Sequence, residues 1–210
     1  MTVDWGLYLV TDPGMSDRRV VDVVADAVAG GVSVVQLRDK VSSDEELEAT
    51  ARELLDVVGP QVPLFINDRV EVARRVGCHL HLGQDDMPLA RARKILGPEP
   101  MIGLSIGSHA EFDRLLGCAP PFPSVVGIGP VFDTSTKADA PAGLGLPLAT
   151  ELASRAQAVG IPAVAIGGIQ QATAGGFSGS SWDGICVVSA IMAAPDPRTA
   201  AHQLREASTL

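Results

Sequence analysis

Eight short apolar runs punctuate the chain at near-regular intervals: Gly6–Val10, Ser33–Leu37, Pro63–Ile66, His79–Leu82, Met101–Ser105, Ser124–Ile128, Ala163–Ile166 and Ile185–Val188. They lack polar alternation, which marks strands covered on both faces, as in a parallel sheet. The segments between them carry helical periodicity. Ser16–Ala29 sets Val20, Val23, Val24, Ala27 and Val28 on one face. Ser43 and Glu46 form a capping box that opens a helix over Asp44–Val58, with Glu48, Arg52 and Glu53 on its wet side. Leu89–Leu96 and Pro147–Val159 read as helices too. Gly30, Gly59, Gly97 and Gly160 stand at helix ends, where a left-handed cap is favoured.

Strand and helix signals that alternate in this way predict an α/β protein, a (β/α)8 TIM barrel forming a single domain over residues 1–210. The competing open doubly wound sheet calls for a glycine-rich turn after its first strand. Thr11-Asp12-Pro13-Gly14 stands there instead. Two segments break the regularity. Asp133–Leu146 is a long Gly/Pro/Ala/Thr loop, and Gln170–Ser181 is a run of small residues where a seventh helix is due, so that helix is expected to be degraded or missing.

Composition narrows the function. The chain carries 16 Lys and Arg against 25 Asp and Glu, a net charge of -9. Nucleic-acid binding calls for a basic footprint, and none is present. Cys78, Cys118 and Cys186 are odd in number and widely spaced, so they are read as small buried hydrophobes rather than a disulfide or zinc framework. The N-terminus lacks the basic and apolar regions of a secretory signal, and the longest apolar stretch, Gly184–Ala194, is too short for a bilayer. A cytoplasmic location without membrane association is the expectation.

In a barrel, chemistry sits at the C-terminal ends of the strands. The second strand runs into Gln36, Arg38 and Lys40, a polar set suited to phosphate or to a surface ion-pair cluster with Asp39. The third ends in Asn67-Asp68-Arg69 and the fourth in Gly83-Gln84-Asp85-Asp86. Each acid could cap a helix. Together, carboxylates on adjacent strands beside a cationic cluster suit Mg2+ and a diphosphate. Ser105 ends the fifth strand, and no His-Asp pair makes it a nucleophile. After the sixth come Thr134, Thr136 and Lys137, an anion-facing loop or a solvated one. Gly167-Gly168 and Val188-Ser189 end the last two strands, where barrels often hold phosphate. His79 and His81 share a face of the fourth strand and lack a third ligand at zinc spacing, so they are read as core or supporting residues. His109 falls near the start of the fifth helix and His202 in the last one.

The ordered set QLRDK, NDR, HLGQDD, GLS, GPVFDTSTK, AIGG and VVSAI resembles the thiamine-phosphate synthase (thiamine-phosphate pyrophosphorylase) family over nearly the whole chain. The resemblance implies a transferase of thiamine biosynthesis with two small-molecule substrates. A pyrimidine bearing a methylene diphosphate loses pyrophosphate, and the nitrogen of a thiazole phosphate takes the methylene carbon, giving thiamine monophosphate. It implies that Gln36, Arg38, Lys40, Asn67, Ser105 and Lys137 meet the pyrimidine diphosphate, with Arg38, Lys40, Lys137 and Ser105 serving catalysis. Asp68 and Asp86 would hold Mg2+, Thr134 and Thr136 would touch the thiazole, and Gly168, Val188 and Ser189 would cradle its phosphate. The chain departs from the family pattern in several places. Asp85 stands where Glu is commoner, Asp133 where Pro is usual, Ile106-Gly107-Ser108 separates Ser105 from His109, and the seventh helix is weak. The alternatives are a thiazole tautomerase on the same barrel and a non-catalytic thiamine-phosphate binder. The oligomeric state stays open, a homo-oligomer included.

Overall fold

The computed structural model describes residues 2–118, 120–134, 136, 141–178 and 181–208. Eight parallel strands close into a barrel in sequence order: β1 (Leu7–Val10), β2 (Val34–Leu37), β3 (Leu64–Asn67), β4 (His79–Leu82), β5 (Ile102–Ile106), β6 (Val125–Ile128), β7 (Ala163–Ile166) and β8 (Gly184–Val187). Closure comes from β1 against β8, with Leu7, Tyr8 and Leu9 opposite Ile185, Cys186 and Val187. The apolar runs therefore sit where expected. The strands are buried on both sides because each alternates between two cores. Trp5, Tyr8, Val10, Val34, Phe65, Val125, Val164 and Cys186 cluster together, with residues alternating from the strands. The intervening strand residues, such as Leu7, Leu9, Val35 and Ile66, join the larger core beneath the helices.

The helices are α1 (Val20–Ala29), α2 (Asp44–Val58), α3 (Val70–Val76), α4 (Leu89–Leu96), α5 (His109–Leu116), α6 (Leu146–Ala158), α7 (Gln171–Ala174), α8 (Ser189–Met192) and α9 (Pro197–Ala207). The Ser43–Glu46 capping box is present at α2. α1 starts at Val20, four residues later than expected, because Ser16 and Arg19 are extended. The seventh helix is shortened: α7 spans one turn and hands over to a single 3-10 turn, Gly175–Phe177.

Three expectations about the fold need correction. Gly59, Gly97 and Gly160 adopt positive φ, but the extended ψ of Gly59 (178°) and Gly97 (-171°) takes them out of the left-handed helical region, and Gly30 is right-handed. A Cβ at Gly30 would lie 2.2 Å from the carbonyl oxygen of Arg198, so that position is small to let α9 pack on α1. Cys118 is exposed, just beyond α5, so only Cys78 and Cys186 are buried. Neither Asp68 nor Asp86 caps a helix: the residues preceding α3 and α4 are Arg69 and Pro88, and neither makes a side-chain cap.

Candidate active site

The ends of β2 and β3 carry a connected polar network. Thr11, fully buried just past β1, accepts from the backbone N–H of Arg38 at 3.0 Å and donates to its carbonyl at 3.2 Å. The Arg38 guanidinium then reaches Asp12 at 3.2 Å. Gln36 is buried one layer lower, where its amide donates to the Tyr8 hydroxyl at 3.0 Å. Lys40 pairs with Asp68 across the gap between the two strand ends. Asn67 is the last residue of β3 rather than a loop residue, so a ladder strand fixes it. Its side chain also bonds the Asp68 carboxylate.

Asp68 has φ of 59°, the one positive-φ non-glycine residue among the described residues. Such a conformation costs about 1–3 kcal/mol and persists where its surroundings enforce it. Here the Asp68 N–H donates to the His81 carbonyl at 2.9 Å, which ties the turn to β4. The turn aims the Asp68 carboxyl at that of Asp86, and the two share a hydrogen bond. Burial pushes Asp68 upward, but the bonds from Asp86 and Lys40 prevail and hold it below the usual carboxylate range. Burial and the neighbouring Asp68 charge lift Asp86 above that range. Asp86 is further fixed by the Gly83 N–H at 2.6 Å. Two carboxyls pressed together with one resisting ionisation are relieved by a divalent cation. The residues present therefore fit Mg2+ held by two carboxylates, with water and phosphate oxygens completing it. Among the described residues no group of three or more metal-ligating side chains exists.

Ser105 lies within β5 and is held from two sides. Gln84 donates to its carbonyl at 2.7 Å, and His81 Nε2 lies 3.0 Å from its hydroxyl. Residue pattern alone assigned neither contact. His81 is buried in the barrel, its pKa pushed down to about 4 by desolvation, and its Nδ1 has no partner among the described residues. A proton on Nδ1 would be an unsatisfied buried donor, costing about 1–3 kcal/mol. This assigns the ring proton to Nε2, donating to Ser105, whose own hydroxyl hydrogen is then free to donate to a ligand acceptor. Desolvated His81 also shapes the acid response. Its folded pKa lies below the unfolded value of 6.5, so its contribution is complete above pH 6.5 and lost as pH falls through about 4. The window is worth about 3 kcal/mol. A His81→Gln variant is expected to lose less melting temperature than the parent between pH 6.5 and 4. Parallel pH profiles for both proteins would sink the assignment.

Beyond β6 the chain folds back over the β7 turn. Val131 N–H donates to the Ile166 carbonyl at 2.8 Å and Phe132 N–H to that of Gly167 at 3.1 Å. Gly167 and Gly168 both have positive φ, and side chains there would strike Pro130, Phe132 or Asp133. Asp133 accepts from the Gly143 N–H at 2.8 Å, so its carboxylate closes the loop base. The Thr134 hydroxyl accepts from the Thr136 N–H at 3.3 Å, while Lys137 lies outside the described residues. Val188 and Ser189 open α8, and the Ser189 hydroxyl accepts from Gln170 at 3.2 Å. His109 begins α5, its Nδ1 3.1 Å from an Arg155 guanidinium nitrogen and its Nε2 3.6 Å from a Glu151 carboxyl oxygen. A cavity of about 580 Å3 lined by Arg93, Lys94, Pro121, Phe122 and Ser124 lies at the opposite, N-terminal end of the barrel.

The polar strand ends thus form one rim at the barrel's C-terminal face, with paired carboxyls and cations on one side and a glycine turn on the other. A family model described as thiamine monophosphate synthase matches residues 7–191. The thiamine biosynthesis multifunctional protein ThiED of Corynebacterium efficiens is 46% identical over 96% of this chain, which spans 28% of that protein's length. The thiamine-phosphate synthase of Chloroflexus aurantiacus is 44% identical, covering 97% of this chain and 92% of its own. Among solved structures, the thiamine phosphate pyrophosphorylase of Pyrococcus furiosus superposes with a TM-score of 0.86 at 32% identity, over 98% of this chain and 96% of that one. Mycobacterium tuberculosis tryptophan synthase, at 15% identity and a TM-score of 0.69, shares the fold alone. On the matched model, the full-length relatives and the barrel superposition, the chain belongs to the thiamine monophosphate synthase family.

Proposed function

We propose that residues 1–210 act as one catalytic barrel that joins a pyrimidine methylene diphosphate to a thiazole phosphate, releasing pyrophosphate and thiamine monophosphate. The observation that carries this reading is the convergence of Arg38, Lys40, Asp68 and Asp86 at adjoining strand ends. Departure of pyrophosphate leaves charge on the leaving oxygens, and preorganised cations stabilise that charge more in the transition state than in the substrate. Mg2+ bound by Asp68 and Asp86 would supply further neutralisation of the leaving diphosphate. Arg38 and Lys40 would grip the diphosphate, with Lys137 from the β6 loop. Ser105, its proton freed by His81, would donate to the pyrimidine. Asn67 would orient Asp68, and Gln36 would line the floor. Thr134 and Thr136 would border the thiazole, with Gly168, Val188 and Ser189 around its phosphate.

A tautomerase would have no use for the acid pair and the cations beside it, and a pure binder would have no need of them together. Among the described residues no helix is long and apolar enough to cross a membrane. Small-molecule substrates and a cytoplasmic setting complete the proposal. Incubation with both substrates and Mg2+ is expected to release thiamine monophosphate and pyrophosphate in equal amounts, and EDTA to stop both. Folded protein that binds thiazole phosphate yet releases neither product would overturn the synthase reading in favour of the tautomerase or the binder.

A further inference from the structure

The Lys40–Asp68 contact joins two loops, yet Lys40 is 54% exposed. An exposed pair of this kind contributes little and does not fix loop positions by itself. Arg69, less exposed at 25%, is placed to do so. Its NH1 donates to Asp44 Oδ1 at 3.1 Å, in the first turn of α2, and its NH2 donates to the Asp39 carbonyl at 3.1 Å. One planar guanidinium thus spans both ends of the β2–α2 loop, a reach that a single ammonium lacks. The loop is already a preformed turn. The Asp39 carboxylate accepts from the N–H groups of Val41 and Ser42 at 2.8 and 3.0 Å and from the Ser42 hydroxyl at 2.7 Å. Arg69 also follows directly after Asp68, the residue held at positive φ, and its N–H closes the turn onto the Asn67 carbonyl at 2.7 Å.

We infer that Arg69 is a positioning residue for the diphosphate and metal site: it pins the loop after β2 to the turn after β3, and so brings Lys40 and Asp68 into register. The inference rests on the proposed function. It gives Arg69 no contact with substrate; Arg69 acts through the placement of Lys40 and Asp68.

Three variants test it: Arg69→Gln, Arg69→Lys and Asp44→Asn. The first readout is Mn2+ binding with inorganic pyrophosphate present, followed by the electron paramagnetic resonance of free Mn2+. Arg69→Gln is expected to weaken binding by about tenfold or more, the usual scale for partners that orient metal ligands. The second is steady-state kinetics. KM for the pyrimidine diphosphate should rise while KM for the thiazole phosphate stays constant, with Arg69→Lys intermediate. A role in stability alone would lower the melting temperature and leave Mn2+ affinity and both KM values unchanged, and that result overturns the inference. If Arg69→Gln fails to fold, Asp44→Asn, half-buried at a helix start and 3.8 Å from Arg75, carries the same test with a smaller change. Absence of turnover in the parent protein would overturn the functional reading and this inference with it. Parent turnover with an unaltered Arg69→Gln would overturn the inference alone.

Discussion

Asp86→Asn is expected to lower kcat/KM for the pyrimidine diphosphate by about a thousandfold while leaving the fold intact. Metal-borne neutralisation of a leaving group supplies several kcal/mol, and each 1.36 kcal/mol is a factor of ten. The amide keeps an oxygen for the Gly83 N–H but cannot carry the charge that a cation needs. The same change removes the crowding between Asp86 and Asp68. Melting in EDTA should therefore stay level or rise slightly. Function falling as stability holds is the signature of a site that stores repulsion for a ligand to relieve. Activity within tenfold of the parent would exclude Asp86 from the metal site.

Gly167→Ala is expected to be the most damaging of the stability changes considered. Its φ of +100° disfavours any side chain, and the added Cβ would lie 2.4 Å from Pro130 Cβ and 2.5 Å from Pro130 Cα. Left-handed strain of about 1–2 kcal/mol and overpacking of about 1–3 kcal/mol together predict a loss of about 2–5 kcal/mol. For a chain of this size that is roughly 10 °C in melting temperature. Gly97→Ala separates the two causes, because Gly97 also has positive φ but nothing stands within 4 Å of its added Cβ. Equal melting shifts for the two variants would show that the packing of the β6 loop on the β7 turn contributes nothing.

The barrel was legible in the sequence because burial on both faces keeps the strands mostly apolar, with Gln36, Asn67, His79, His81 and Ser105 as polar exceptions, so contiguous apolar runs remain that no surface helix mimics. The α2 capping box was legible for a similar reason: it needs residues only three apart. What the pattern could not supply depends on barrel register. Thr11 clamps Arg38 from 27 positions away, and His81 meets Ser105 across 24. Arg69 bridges Asp39 and Asp44 from the turn after β3, and nothing in the spacing of NDR announces this. Cys118 was misjudged because burial of a cysteine depends on which side of a loop it leaves, a matter of packing rather than residue type. The one-turn α7 was half legible: small residues signalled a weak helix, but only the fold shows that Ala174 and Phe177 still seal the barrel wall.

The tightly packed His81 ring has a consequence for how such a barrel can change through descent. A Cβ at Gly103 would lie 2.4 Å from His81 Nδ1, and one at Gly127 would lie 3.6 Å from its Cε1. Three strands thus share one allotment of interior volume, held chiefly by a single imidazole with Val125 and Ile166 beside it. A lineage that enlarges position 103 must first shrink position 81, and the intermediate forfeits the donor that orients Ser105. The order of substitutions is therefore constrained: relatives that keep His at this position should keep glycine at 103, and those that lose it should acquire bulk there only afterwards.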